Sequence, residues 1–267
     1  MKVKFLYSIF VIVSLVACNE ERKDTVQKTE PPPVIPTVTP VELHGTWVKA
    51  EYIEDISQTH SPLKSFKKLN GIALFAFDTA QIKGTQLDGG ISFNGHEGSL
   101  CRVTFQSGKT PRSIVLNFIE GDTTKAYREL VLANNELLLM SYPTNGSAIG
   151  ERFIRASSQD VSIDNALDHA LRRTLFAGKW QRKEIGVNKP YDIELTEDGI
   201  VIGDSTYKKY SIASDFMVDA SSDQIFFYGE KAKKPRILQF KISNDTVKLT
   251  ERIKKKDTPV YQWIKKK

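Results

Sequence analysis

Two short stretches of the sequence decide the fold: LHGTW at residues 43–47 and LFAGKW at residues 175–180. Each contains Gly-x-Trp immediately before a segment that alternates like a β-strand. Two further segments, RFIR at residues 152–155 and QWIK at residues 262–265, have the composition of closing strands and end in a basic residue. Because each opening has a matching end, the sequence indicates two copies of one unit.

The spacing between matching positions supports this duplication. An offset of 110 positions aligns residues 115–155 with residues 225–265 without a gap. Trp47 and Trp180 are 133 positions apart, so the first copy has 23 additional residues (133 − 110), all before Ser113. A repeat of this length is typical of two tandem domains rather than of a solenoid.

Turn residues between short apolar segments predict an all-β protein of two tandem small antiparallel barrels, in residues 42–156 and 177–267. The second domain has about eight strand segments, a number that suits a small closed barrel. In the first domain we expect an opening strand over residues 47–53 and a short helix after Ser61-Pro62.

Residues 157–176 differ from both domains. Apolar residues recur at spacings of three and four between Ile163 and Leu175, which predicts one amphipathic helix that joins the two barrels. The helix leads directly into the second Gly-x-Trp. Two interpretations remain open: it plugs the open end of the second barrel, or it is a linker packed between the two domains.

The N-terminus has the features of a lipoprotein signal peptide in residues 1–17. Lys2 and Lys4 precede an apolar run that is too short to span a bilayer, and the run ends in LVAC at residues 15–18. This ending resembles a bacterial lipobox, which implies that Cys18 is acylated and becomes the first residue of the mature chain. The alternative is an ordinary secretory signal that contains a cysteine by chance.

Residues 18–41 are predicted to form a disordered, proline-rich tether that holds the first domain away from a membrane. Asn19 follows the cysteine where Asp would favour retention in the inner membrane, by analogy with enterobacterial lipoproteins. Glu20-Glu21 resembles the acidic signals of some surface lipoproteins. We therefore expect an outer-membrane lipoprotein of the cell envelope, facing either the periplasm or the cell surface.

The Gly-x-Trp opening with a basic residue on the closing strand resembles the lipocalin-like (calycin) barrels, in particular short bacterial lipocalin-like lipoprotein domains. In such a barrel the first and last strands pair, and a cation on the last strand lies across the indole of the first. The resemblance implies structural closure by Trp47 with Arg155 and by Trp180 with Lys265, each contact contributing roughly 0.5–2 kcal/mol. Some members of the family bind small apolar molecules, so the resemblance also implies a ligand-binding module.

Two phenylalanines on one predicted strand are candidates for an apolar contact. If Leu74 aligns with Ile193, Phe75 and Phe77 point outward and need a cover from the inserted segment or the other domain. If the register is shifted by one residue, both rings lie inside the first barrel and line a pocket.

Composition and spacing argue against several other functions. The formal net charge of +6 is more typical of a solvated basic surface than of a nucleic-acid site. No histidine pair has a metal-ligand spacing, and neither a Gly-x-Ser-x-Gly nor a phosphate-loop pattern occurs. His96-Glu97 lacks a nucleophile, and Cys101 is expected to be a buried apolar residue. We therefore expect no catalytic residue, no cofactor, no metal site and no nucleic-acid partner.

Two hypotheses about function remain. The first is a non-enzymatic, lipid-anchored envelope protein that binds a small apolar ligand in its first barrel. The second is a scaffold with filled barrels that binds another envelope component, or an anionic glycan, through its surface. A ligand binder needs an apolar cavity of roughly several hundred cubic ångströms, and a scaffold does not.

Overall fold

In the computed structural model of the protein, the described residues are 38–94, 97–119, 126–159, 162–187, 189–216, 221–230, 233–253 and 256–266. They form two eight-stranded antiparallel sheets with a few short helices, which confirms the predicted all-β class. The predicted signal peptide, Cys18 and most of the predicted tether lie outside the described residues.

The first sheet has the strands β1 (Gly45–Lys49), β2 (Ile72–Phe77), β3 (Gln86–Phe93), β4 (Glu97–Ser107), β5 (Ser113–Phe118), β6 (Tyr127–Ala133), β7 (Glu136–Tyr142) and β8 (Ile149–Ser157). Strands that follow one another in sequence pair antiparallel, and β1 also pairs with β8, so the sheet is a closed barrel. Asn134 and Asn135 supply the positive φ angles, 53° and 62°, that the two-residue turn between β6 and β7 requires.

The second sheet has the strands β9 (Gly178–Glu184), β10 (Tyr191–Leu195), β11 (Val201–Ile202), β12 (Tyr207–Ile212), β13 (Gln224–Gly229), β14 (Arg236–Ser243), β15 (Thr246–Ile253) and β16 (Lys256–Lys265). Their order is β11-β10-β9-β16-β15-β14-β13-β12. The end strands β11 and β12 are joined through a bridge between Ile200 and Lys209. The first and last strands of this copy therefore pair as in the first copy, and a seam lies between β11 and β12.

The strand registers support the duplication, with one correction. The hairpins β6–β7 and β14–β15 have the same register at an offset of 110 positions. Further back the offset changes: Leu116 of β5 lies opposite Arg128, and Ile225 of β13 lies opposite Leu238, the position that matches Arg128, so the offset there is 109 (225 − 116). The gapless alignment is therefore wrong by one residue before β6.

Short helices flank the strands of the first copy: α1 (Pro40–Leu43), α2 (Ala50–Thr59), α3 (Pro62–Ser65) and a 3-10 helix (Phe66–Leu69). The predicted helix after Ser61 is confirmed, and the Ser61 hydroxyl accepts a hydrogen bond from Lys64 N at 3.2 Å, as an N-cap does. The predicted strand over residues 47–53 is wrong beyond Lys49, because α2 begins at Ala50. The buried residues of α2 recur with helical spacing: Tyr52, Ile53 and Ile56.

The predicted amphipathic helix is α4 (Ile163–Leu175). Its apolar residues belong to one core cluster that also contains Val48 and Leu74 from the outer face of the first barrel, and Phe240 and Trp263 from inside the second. Asp168 Oδ1 accepts a hydrogen bond from Ile212 N at 2.8 Å, at the end of β12. The helix is therefore packed between the barrels and also covers one end of the second barrel, so the two interpretations are not alternatives.

A separate cluster fills the first barrel, and Phe75 and Phe77 belong to it. The outward orientation of these two rings is therefore wrong. In the sheet, Trp47 lies opposite Phe75 and Trp180 lies opposite Ile193, so Phe75, not Leu74, is the counterpart of Ile193. Leu74 points outward instead, into the core cluster to which α2 and α4 contribute.

The predicted tether of residues 18–41 ends earlier than expected. Val38 is buried in the core of the first barrel, and Pro40 occupies the first turn of α1, where a missing N–H costs nothing. Among the described residues, no helix has the length and apolar character that crossing a bilayer requires.

Candidate functional site

The structure brings Trp47 and Arg155 together at the end of the first barrel. The guanidinium carbon of Arg155 lies 4.1 Å from the centre of the buried Trp47 ring. Arg155 also donates to the carbonyl of Glu42 at 2.6 Å and to that of His44. Trp47 Nε1 donates to the carbonyl of Leu43 at 2.9 Å. Stacking and hydrogen bonds together fix both side chains, and the arginine joins the last strand to the segment before the first.

The structure also brings Trp180 and Lys265 together at the equivalent end of the second barrel. Trp180 is buried, and its Nε1 donates to the carbonyl of Phe176 at 2.7 Å. Lys265 Nζ lies 5.5 Å from the ring centre, and the lysine side chain is exposed. This contact is longer and better solvated than its counterpart, so it stabilises the barrel less.

Packed aromatic side chains occupy the interior of the first barrel. The ring of Phe75 stacks on Phe77 with centres 5.7 Å apart and meets Phe153 edge-on at 4.9 Å. Gly89 lies beneath Phe77, where an added Cβ would approach the ring to 2.6 Å. The two phenylalanines predicted as apolar contacts therefore pack against the barrel's own residues.

The second barrel contains a buried arginine inside the end opposite Gly178. Arg182 lies two residues beyond Trp180 on β9, and its side chain is 4% exposed. It donates to Asp204, whose carboxylate also accepts from the backbone N–H of Thr206 and Tyr207 at 2.7 and 2.9 Å. Arg182 Nε has no hydrogen-bond partner among the described residues. A buried charge with a paired carboxylate and one spare donor is typical of a polar site rather than of a barrel core.

Three tyrosine rings surround this arginine, with ring centres 3.8 Å (Tyr261), 5.2 Å (Tyr191) and 5.6 Å (Tyr207) from its guanidinium carbon. A second arginine, Arg236, donates to the hydroxyls of Tyr207 at 3.0 Å and Tyr261 at 2.8 Å. We call these five residues the tyrosine–arginine cluster. Arg236 is held in turn by Glu251, with Nη2 2.7 Å from Oε2.

A cavity of about 480 Å³ lies beside the tyrosine–arginine cluster. Phe227 and Tyr207 give it aromatic walls, Arg236 and Lys234 give it two cationic groups, and Glu230 gives it one carboxylate. Burial raises the pKa of Tyr191 to about 12 and also raises the pKa of Tyr207, so both phenols are neutral at physiological pH. The site therefore offers rings, neutral hydroxyl groups and positive charge, an arrangement that suits binding better than proton transfer.

The remaining predicted residues form no further site. Cys101 is buried, and burial raises the pKa of its thiol to about 12, so the thiolate is not populated at neutral pH. His96 lies outside the described residues. Across the described part of the chain, no group of three or more His, Cys, Asp or Glu side chains is arranged to hold a metal ion.

Sequence reasoning missed the tyrosine–arginine cluster, because its members come from five strands spread over residues 182–261. One signal was present. Lys49 and Arg182 both lie two residues after the Gly-x-Trp tryptophan, and both are buried cations. Lys49 Nζ donates to Glu151 Oε1 at 2.7 Å, whereas Arg182 meets an aromatic cluster. A cation at an inward-facing position of a strand is unusual in a protein core, and such a cation can be recognised in the sequence.

Comparison with known proteins gives the chain no relative: it matches no protein-family model, no curated protein and no solved structure.

Proposed function

We propose that the chain is a non-enzymatic, lipid-anchored protein of the cell envelope that binds a small amphiphilic molecule in its second, lipocalin-like barrel. The observation that carries this proposal is the cavity of about 480 Å³ beside the tyrosine–arginine cluster. Its volume is within the usual range for small-molecule sites, and its lining combines apolar rings with a few polar groups.

The lining indicates which part of a ligand goes where. An apolar body would lie on Phe227 and Tyr207, which already pack against each other with ring centres 5.2 Å apart. An anionic group would meet Arg236 and Lys234, because charge-assisted hydrogen bonds to a guanidinium are strong and directional. The ligand is therefore an apolar molecule with an anionic end, and it binds in the second barrel rather than in the first.

Two measurements test this proposal. Native mass spectrometry of the full chain, purified from its own envelope in mild detergent, should show a co-purifying small molecule. A dansyl-labelled fatty acid should bind the same protein with enhanced fluorescence, and its uncharged amide should bind about tenfold more weakly. Equal affinity for the acid and the amide would contradict the assigned role of the cations.

Variants locate the binding site. Arg236→Gln should weaken binding of the labelled acid by about tenfold or more. The matched control is Arg252→Gln: Arg252 lies outside this cavity on the same barrel and forms an exposed ion pair with Asp257, with Nε 3.5 Å from Oδ1. If both variants weaken binding equally, the probe is responding to surface charge and not to the cavity.

A scaffold is the second candidate, and the packed interior of the first barrel favours it. If no small molecule co-purifies and the labelled acid does not bind, while cross-linking in cells captures an envelope protein, the scaffold is the better description. The two candidates share the anchor, so the anchor needs its own test.

Lipid attachment is tested by Cys18→Ser, which should move the protein from the detergent phase to the aqueous phase and abolish labelling by a palmitate analogue. The control is Cys101→Ala, because Cys101 is buried in the barrel and is not an attachment site. Unchanged labelling of Cys18→Ser would contradict the anchor without affecting the binding site.

A further inference from the structure

A groove of about 730 Å³ lies between the two barrels. Its lining is polar and charged, unlike that of the aromatic cavity described above. One wall is the end of β8 and the residues after it, 155–159. The floor is one face of α4, and the opposite wall is the turn at Glu197 and Asp198. All three parts of the duplicated chain therefore contribute to this groove.

Two arginines in the groove form no ion pair with a carboxylate of the described residues. Arg173 donates to the backbone carbonyls of Ala156 at 3.1 Å and Arg155 at 2.9 Å. Arg155 likewise donates to backbone carbonyls, and neither arginine forms an ion pair within the described part of the chain. A guanidinium has five N–H donors, so these bonds leave several donors on each side chain for a ligand.

The neighbouring positions on α4 add two polar atoms without hydrogen-bond partners in the described residues. His169, Arg172 and Arg173 lie on one face of the helix, at the spacings i, i+3 and i+4. Arg172 Nη1 donates to Asp168 Oδ2 at 3.0 Å, and His169 Nε2 lies 3.6 Å from Asp198 Oδ1. Arg172 Nε and His169 Nδ1, however, are buried without a hydrogen-bond partner in the described chain. Buried polar atoms of this kind are uncommon in native proteins and call for an explanation such as a ligand.

The other groups in the groove restrict the class of ligand. Ser158, Gln159 and Asn165 line it with hydroxyl and amide groups, and it is far larger than an inorganic anion needs. Glu197 and Asp198 place negative charge on the opposite wall, so a molecule with many anionic groups would be repelled there. A hydroxyl-rich body with a single oxyanion satisfies the arginines on one side and accepts or donates hydrogen bonds on the other.

We propose that this groove binds an acidic saccharide, a sugar with one carboxylate or phosphate group, and holds the oxyanion between Arg155 and Arg173. Both guanidinium groups present paired N–H donors that match the two oxygens of a carboxylate or phosphate. The site is independent of the amphiphile site in the second barrel, because the two share no lining residue.

Isothermal titration calorimetry on the full chain in detergent tests the proposal with four probes: glucuronate, glucose 6-phosphate, glucose and inorganic phosphate. At least one acidic sugar should bind about tenfold or more tightly than both glucose and inorganic phosphate. The glucuronate and glucose 6-phosphate arms distinguish a carboxylate from a phosphate. If neither acidic sugar binds more tightly than glucose, the proposal fails. If inorganic phosphate binds as tightly as the sugars, the assignment of a saccharide fails.

Substitutions separate the groove from general surface charge. Arg173→Gln should weaken binding of the preferred acidic sugar by about tenfold or more, and Asn165→Ala should weaken it by a smaller factor. Arg252→Gln, on the outer surface of the second barrel, should leave the affinity unchanged. Unchanged melting temperatures show that each variant is folded. If folded Arg173→Gln and Asn165→Ala both bind like the unmodified protein, the groove is not the site.

Discussion

The two barrels open with the same Gly-x-Trp motif, but they are closed in different ways. The first is a complete ring of eight paired strands, and Arg155 both stacks on Trp47 and donates to two backbone carbonyls. The second has a seam between β11 and β12, and Lys265 lies 5.5 Å from the centre of Trp180. In place of full strand pairing, α4 covers the end of the second barrel. A repeated motif therefore specifies the strand order without specifying how each copy is sealed.

Removal of either indole ring should have the largest effect on stability and tests this comparison most directly. Trp47→Ala and Trp180→Ala should each lower the free energy of unfolding by about 3–5 kcal/mol, because both rings are fully buried. The effects should differ in extent. Loss of Trp47 should reduce hydrogen-exchange protection inside the first barrel, whereas loss of Trp180 should also reduce it in α2 and α4, which share its core. If the two variants lose hydrogen-exchange protection in the same regions, as measured by mass spectrometry, the division into two cores is contradicted.

A second test concerns the helix that replaces strand pairing. Leu171→Ala should lower the free energy of unfolding by about 2–5 kcal/mol, because Leu171 is fully buried in the shared core. Urea denaturation measures this change, and hydrogen exchange should show weaker protection in both β2 and β12. The control is Asn165→Ala on the exposed face of α4, which should have little effect. Loss of protection confined to one barrel would mean that α4 belongs to that barrel alone.

A third test uses a carboxylate that only the first barrel has. Glu129 is buried, and Gln239 occupies the matching position in the second barrel. Burial raises the pKa of Glu129, but hydrogen bonds outweigh it and hold the pKa below its ordinary value of 4.5. These bonds come from the Thr110 hydroxyl, Tyr142 Oη (2.6 Å), Ser113 Oγ (2.9 Å), Lys109 N (2.7 Å) and Thr110 N (3.1 Å).

The lowered pKa fixes the sign of the pH dependence. In acid the unfolded chain takes up a proton at Glu129 before the native chain does, so this stabilisation is complete above about pH 4.5 and is lost as the pH falls below it. Glu129→Gln should lower the free energy of unfolding at neutral pH by about 1–3 kcal/mol. It should also reduce the loss of stability between neutral pH and pH 4 in urea titrations. An unchanged acid dependence would mean that other carboxylates dominate.

The smallest expected effects come from substituting the two cations that contact the tryptophans. Arg155→Lys should lower the free energy of unfolding by about 1–2 kcal/mol, because a lysine cannot stack and donate to two carbonyls at once. Lys265→Gln should produce a change within experimental error, because Lys265 is exposed. Both variants are measured by urea denaturation under identical conditions. A larger effect at Lys265 than at Arg155 would reverse the order of closure strength inferred for the two barrels.

Much of the fold could be predicted, because its signals are local or periodic. The Gly-x-Trp stretches, the offset near 110 and the apolar spacing of α4 are visible along the chain. The helix α2 was missed because Tyr52 and Ile53 have strand propensity, although Tyr52, Ile53 and Ile56 also fit one helix face. Phe75 and Phe77 were ambiguous because both faces of β2 are buried, so alternation of polar and apolar residues could not set its register.

The candidate sites could not be predicted in the same way. The groove and the tyrosine–arginine cluster are assembled from residues that lie far apart in sequence, and no local motif marks them. Arg173 illustrates the difficulty. In the sequence it is a basic residue in the last turn of an amphipathic helix, where a positive charge commonly interacts favourably with the helix dipole. Only the packing of α4 against β8 shows that it lines the same groove as Arg155.

The layer of α2 and α4 affects how the protein folds as it is synthesised. Every strand of the first barrel has been made once Ser157 is complete, but the outward-facing Val48 and Leu74 gain their full cover only when α4 and the strands after it have followed. Until then the nascent first copy exposes an apolar surface of the kind that chaperones recognise. Because the two copies share this core, we expect that neither matures independently and that a fragment ending before α4 would be prone to aggregation.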